Sequence, residues 1–103
     1  MAINEGVLSS GVLTAGSSTP GGVGTAVRLY GYVLSGGTAA TSITFKDGGT
    51  GGTVKWQDSI KAQTAAGDAT SPVLFPYPVV FSTDCYVTVA GTAGTAVMLY
   101  LPI

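Results

Sequence analysis

The sequence predicts an all-β fold, a single compact β-sandwich of about 7–8 short strands. Apolar residues alternate with polar ones in short stretches and do not recur at helical spacing. Sixteen glycines and five prolines divide the chain into short segments. Because 103 residues suffice for one hydrophobic core, we expect one sandwich with a jelly-roll-like strand order. An immunoglobulin-like order is the alternative.

The first clear strand follows residue 26, where apolar and polar residues alternate. Side chains of a strand point alternately to opposite faces, so each phase belongs to one side of the sheet. The residues that we expect to face the core are Val27, Leu29 and Val33. The residues that we expect to face outward are Arg28, Tyr30 and Tyr32.

Later strands show the same alternation. Ile43 and Phe45 are predicted to face the core, as are Val54 and Trp56 in the strand that follows. Near the end of the chain, one phase is predicted to face inward and the other outward. The inward set is Val97, Leu99 and Leu101, and the outward set is Met98 and Tyr100.

Glycine-rich segments are predicted to connect the strands. Residues 35–38 and 90–94 are interpreted as hairpin loops, because glycine supplies the positive φ that such turns need. Residues 46–52 form a longer loop that opens with Asp47-Gly48.

The first 22 residues are predicted to stand apart from the sandwich, which we place at 23–103. Residues 2–15 form an N-terminal arm, and residues 16–22 form a link rich in Gly and Ser. The start of the chain lacks the basic and apolar regions of a signal peptide, so we expect synthesis in a host cytoplasm. The arm residues that we predict at an interface are Ile3, Val7, Leu8, Val12 and Leu13.

Charge is scarce, at nine per cent of the residues with a net charge of −1. Without a basic field, nucleic acid is an unexpected partner. The apolar stretches 72–81 and 96–103 are too short to cross a bilayer, so no membrane association is expected. Since 46% of the residues are nevertheless apolar, much of the surface is predicted to be covered by other protein.

The residues for catalysis or metal binding are missing from the sequence. It contains no His and a single Cys, so neither a typical zinc site nor a histidine-activated nucleophile can form. Cys85 is predicted to be a buried apolar residue on the same face as Val87 and Val89. We therefore predict no enzyme activity, no catalytic residue, no cofactor and no metal.

Outward aromatic residues are the candidates for binding. Tyr30, Tyr32, Met98 and Tyr100 could stack on a glycan, could form the second face of a two-sided sheet, or could be buried by a neighbouring subunit. The segment Pro76-Tyr77-Pro78 is unusual for a central strand, because proline is confined to edges and bulges. It is predicted to contact a partner or to lie under a loop.

Three stretches resemble the small β-sandwich virion structural proteins of tailed bacteriophages. They are Arg28-Leu29-Tyr30-Gly31-Tyr32, Ile43-Thr44-Phe45-Lys46-Asp47-Gly48-Gly49 and Tyr86-Val87-Thr88-Val89-Ala90-Gly91-Thr92. The resemblance covers about residues 26–101. It implies a decoration, cement or fibre-associated protein, often trimeric and without catalytic residues.

The function that this resemblance implies is capsid decoration. Such a protein self-associates and bridges neighbouring major capsid subunits on the virion surface. The alternative is a tail or head fibre component with a receptor- or glycan-binding role, for which the loops at 46–52 and 67–72 are candidates. A stand-alone cellular sandwich is disfavoured by the low charge.

Overall fold

A computed structural model of the chain describes residues 7–62 and 70–103, and in these residues all regular secondary structure is β-strand. The predicted all-β class is confirmed. The strands are β1 (Leu8–Ser9), β2 (Gly16–Ser18), β3 (Val27–Ser35), β4 (Thr41–Asp47), β5 (Thr53–Ile60), β6 (Thr70–Phe81), β7 (Cys85–Ala90) and β8 (Thr95–Pro102).

The strands form two antiparallel sheets of four. Sheet I has the order β1-β8-β3-β6, and sheet II has the order β2-β7-β4-β5. The pairs β1–β8, β2–β7, β3–β6 and β4–β5 nest inside one another, as when one long hairpin is wrapped around a core. This arrangement is the jelly roll that the sequence predicts, and the immunoglobulin-like alternative does not apply.

Two glycine-rich connections cross between the sheets. Residues 36–40 lead from β3 in sheet I to β4 in sheet II, and residues 91–94 lead from β7 back to β8. The prediction that these segments close hairpins is wrong, because turn residues specify a local bend and not the sheet that the next strand joins. The crossovers contact each other, since the Thr38 N–H donates to the Thr92 carbonyl oxygen over 3.1 Å.

The core lies between the sheets and is built largely from aromatic and β-branched side chains. Ile43 and Phe45 are fully buried, which confirms their predicted inward direction. The Phe45 ring lies 5.4 Å from Tyr32 and 6.4 Å from Phe81, in the tilted geometry that aromatic pairs favour. Cys85 is also buried, as predicted, on the face that it shares with Val87 and Val89.

A β-bulge in β3 overturns the predicted direction of Tyr32. The pairing register of β3 shifts between Leu29 and Gly31 against both neighbouring strands. An extra residue reverses the face of every side chain that follows it. Tyr32 is therefore buried, with 1% of its surface exposed, whereas Val33 turns outward and is 38% exposed.

The predicted phase of β8 is also wrong. Met98 is fully buried and Tyr100 is 9% exposed, so both face the core. The outward positions belong instead to Val97, Leu99 and Leu101, which are half-buried. Alternation cannot assign the faces of this strand, because both of its phases are apolar.

The described part of residues 1–22 lies along one side of the sandwich. β1 pairs with β8 at the edge of sheet I, and β2 pairs with β7 at the edge of sheet II. Between them, Leu13 and Ala96 exchange two backbone hydrogen bonds of 2.7 and 2.9 Å. The segment therefore passes from one sheet to the other and covers one open side of the sandwich.

Candidate functional site: an apolar sheet face

The outer face of sheet II is mostly polar. Central strand β4 directs Ser42, Thr44 and Lys46 outward, while Ile43 and Phe45 point to the core. By register, Thr88, Gln57 and Ser59 lie on the same side, as do Tyr86 and Val54, which pair opposite Lys46. Such a sheet has one apolar and one water-facing side, as is usual for antiparallel sheets. The predicted inward direction of Val54 is wrong, because the register of β5 shifts at Lys55 and leaves Val54 outward and 47% exposed.

The outer face of sheet I is apolar, and we call it the apolar face. Arg28 is the one charged residue within the described strands of this sheet. The apolar side chains include Leu74, 76% exposed, and Val80, 46% exposed. The apolar face is formed by Val33, Pro72, Leu74, Val80, Val97, Leu99 and Leu101.

A groove of about 230 Å³ crosses the apolar face. Its outward-pointing walls are Val33, Pro72, Leu74, Val97 and Leu99. The register places Gly31, which has no side chain, between Leu99 and Leu74 beside the groove.

Close packing of β6 against β3 explains why a glycine occupies this position. A β-carbon at Gly31 would lie 2.5 Å from the Val73 carbonyl oxygen and 2.8 Å from Leu74 Cδ2. A larger residue therefore cannot fit unless β6 moves away from β3. The bulge that turns Tyr32 into the core also turns Val33, a wall of the groove, outward.

The predicted interface residues of β3 and β8 do not form one outward surface. Tyr32, Met98 and Tyr100 belong to the core, so the outward surface that we predicted for them is wrong. Tyr30, at the bulge, is half-buried. Sequence reasoning missed the groove, and the one available signal was a glycine inside a strand, which often marks a bulge.

Pro76, Tyr77 and Pro78 lie where β6 departs from regular pairing. Leu74 pairs opposite Gly31 and Val79 opposite Leu29, so four residues of β6 face one residue of β3. Tyr77 projects from this bulge with 84% of its surface exposed. This segment borders the apolar face on the side of the sandwich away from the N-terminal segment.

The predicted arm residues divide into covered and exposed positions. Leu8 is 45% exposed and Val12 is 69% exposed. Val7 is half-buried, and Leu13 packs partly against the core. Ile3 lies outside the described residues. Their role at an interface stays a prediction.

A hydrogen-bonded trio joins the two sheets at the side of β5 and β6. Trp56 Nε1–H donates to the Tyr32 hydroxyl over 2.8 Å, and that hydroxyl donates to Asp58 Oδ2 over 2.7 Å. Burial, followed by the bond to Asp58, raises the pKa of Tyr32 to about 12. Trp56 packs edge-on against Phe75 and is 38% exposed, so this predicted core residue lies at the core margin.

Two carboxylates anchor loops at one end of the sandwich. Asp47 accepts hydrogen bonds from the backbone N–H groups of Ser82 and Thr83, and Asp84 accepts from those of Gly24 and Gly48. Although burial alone would raise it, these donors hold the pKa of Asp47 below its usual value. The oxygens are thus engaged in structural bonds.

The thiol of Cys85 is held in its protonated form near neutral pH. Burial, together with the nearby charges of Asp84 and Asp47, raises its pKa to about 12. A thiol is a nucleophile only as thiolate, so this environment suppresses its reactivity.

The remaining tests for a site concern metals, membranes and loops. Within residues 7–62 and 70–103, no group of three or more His, Cys, Asp or Glu could hold a metal ion. The same residues include no helix long and apolar enough to span a membrane. Of the predicted loop at 67–72, Ser71 and Pro72 belong to β6, and residues 67–69 lie outside the described part.

Comparisons with family models, with curated proteins and with solved structures give no match for this chain.

Proposed function

We propose that the chain is a non-enzymatic structural protein of a virion, a capsid decoration or cement protein. In this proposal it self-associates, with a trimer favoured, and bridges neighbouring major capsid subunits. The observation that carries the proposal is the apolar face, because a sheet with apolar residues on both sides gains free energy when its outer side is covered. The resemblance of residues 26–101 to small phage virion proteins supports the same class of function.

The area of the apolar face favours a contact that also includes surface beside it. Strand spacing and rise give the outer side of sheet I an area of roughly 400–500 Å². A stable interface buries about 800 Å² on each partner. Additional surface is therefore needed, and the exposed residues Leu8, Val12 and Tyr77 provide apolar area on both flanks. Oligomerisation would multiply such contacts and raise the avidity for a repetitive shell.

A fibre component with a receptor- or glycan-binding role is the second candidate. The observation in its favour is the exposed aromatic surface of Tyr77, together with the partly exposed Trp56. Aromatic rings of this kind can stack on a partner, although they also occur at protein interfaces.

The proposal is tested by locating the chain on its parent particle. Electron cryo-microscopy should find its density on the shell at capsomer junctions, in threefold groups. Density restricted to the tail or fibres would reject decoration and favour the second candidate.

A matched pair of variants tests the role of the apolar face. Particles that lack the chain are mixed with purified wild type, Leu99→Lys or Thr44→Lys, and bound protein is measured after sedimentation. Leu99→Lys adds a charge to the groove and should weaken binding at least tenfold, whereas Thr44→Lys, on the polar face, should bind like wild type. Circular dichroism checks that both variants are folded, and equal binding by the two would contradict the proposal.

A further inference from the structure

The segment Pro76-Tyr77-Pro78 of β6 projects from the edge of sheet I, and we call it the knob. Tyr77 is 84% exposed and is the most exposed aromatic side chain within residues 7–62 and 70–103. Each proline fixes its own φ, and Pro78 also restricts the backbone of Tyr77, which precedes it. An aromatic side chain on a restricted backbone loses little conformational entropy on binding, so Tyr77 is suited to anchor a protein contact.

The groove on the apolar face has the size and the chemistry to receive this side chain. Its volume is about 230 Å³, and an apolar cavity of about 150 Å³ is sufficient for a benzene ring. The side chains that line it are uncharged, and its outward walls are aliphatic. Burying a charged group there would be costly, whereas a tyrosine ring can lie along the open groove with its hydroxyl in water.

We propose that the knob of one copy of this chain inserts Tyr77 into the groove of a neighbouring copy, and that these contacts close into a ring. Within its own chain, Tyr77 stays exposed and does not line the groove. Because one chain carries both halves of the contact, the occupant of the groove is a second copy of that chain. The knob and the groove are different surfaces, so each copy can use both at once, as in a cyclic oligomer.

The available area favours a ring over an isolated pair. The outer side of sheet I measures roughly 400–500 Å², whereas each partner of a stable pair buries about 800 Å². In a ring, each copy gives its groove to one neighbour and its knob to the other, so it covers roughly twice the area of one contact. A ring of three copies is the trimer of the proposed function, on which this inference rests for the number of subunits.

A pair of variants at Tyr77 tests the contact in solution. Tyr77→Ala removes the anchor and should weaken self-association at least tenfold in analytical ultracentrifugation. Tyr77→Phe keeps the ring and should associate like wild type. Urea unfolding should give similar stabilities for all three proteins, because the side chain is 84% exposed. Equal association of the three proteins, an equal loss in both variants, or a monomeric wild type overturns the proposal.

Photo-cross-linking locates the surface that Tyr77 contacts. When p-benzoylphenylalanine replaces Tyr77, irradiation should give covalent dimers and trimers on a denaturing gel. Peptide mass spectrometry should find position 77 joined to residues 70–74 or 95–102 of another copy, which contain walls of the groove.

Two controls accompany this measurement. The same photoreactive residue at Val23, which is 86% exposed between β2 and β3, should not join copies. Leu99→Lys adds a charge to the groove and should remove the cross-link from position 77. Cross-links from position 77 to other parts of a neighbouring copy, or cross-links that Leu99→Lys does not reduce, overturn the proposal.

These measurements use the chain without particles, so their outcome is separate from that of the proposed function. A ring that forms but does not bind particles would reject capsid decoration and leave the contact between knob and groove standing. On particles, a cross-link from position 77 to another protein, with none between copies of this chain, would overturn the contact and leave decoration standing.

Discussion

The two sheets bury similar inner faces but have opposite outer faces. In sheet II, β4 alternates buried Ile43 and Phe45 with outward Ser42 and Thr44. In sheet I, β8 is apolar on both sides. A strand that is buried on one side only alternates apolar and polar residues. β8 lacks this alternation, which indicates a sheet that can be covered on both sides. This difference is the observation on which the proposed function rests.

The largest effect that would test this difference is expected at Gly31, beside the groove. Gly31→Ala should destabilise the fold by about 1–3 kcal/mol, because its β-carbon collides with the Val73 carbonyl and with Leu74. Gly51→Ala is the control, since nothing lies near that position and the change should stay within about 0.5 kcal/mol. Urea unfolding measures both, and equal values would mean that β6 does not pack tightly against Gly31.

A smaller effect is expected where the sheets are joined. Tyr32→Phe removes the hydroxyl that links Trp56 to Asp58 and should cost about 1–2 kcal/mol in urea unfolding. Since folding raises the pKa of Tyr32 from 10.0 to about 12, its contribution is complete below pH 10 and is lost as pH rises through 12. The variant should therefore lose less stability than wild type over this interval. Parallel alkaline profiles would contradict this role, with Tyr77→Phe, an exposed tyrosine, as the control.

The smallest effect on stability is expected on the apolar face itself. Leu74→Ser should change the free energy of unfolding by no more than about 0.5 kcal/mol, because the side chain is 76% exposed. The same change should reduce binding of a hydrophobic dye, whereas Thr44→Ser on sheet II should not. A large loss of stability would show that Leu74 supports the core and is not surface for a partner.

Much of the fold is predictable from local sequence. Ile43 and Phe45 alternate with polar neighbours, which assigns β4 and its inner face, and Cys85 is placed correctly by the same pattern. The number of short strands predicts a sandwich but leaves the jelly-roll and immunoglobulin-like orders open, and only the pairing of the strands decides between them.

The remainder depends on long-range packing. The bulge at Gly31 arises where β3 meets β6 and β8, so the alternation of β3 alone places Tyr32 on the wrong face. In β8, neither phase is polar, and only the partner strands decide which one is buried. The groove depends on both the bulge in β3 and the orientation of β8. For this reason the sequence pattern predicted outward tyrosines and did not predict the apolar face.

The nesting of the strands has a consequence for synthesis. β8 follows the other seven strands of the described residues, yet it occupies the place in sheet I between β1 and β3. Until residues 95–102 have left the ribosome, the edge of β3 that pairs with β8 is free, and β1 has no neighbouring strand in sheet I. Chains dominated by such non-local pairing fold slowly and expose apolar surface meanwhile. The apolar surface of sheet I in a nascent chain of this protein therefore stays open to neighbouring chains until β8 has emerged.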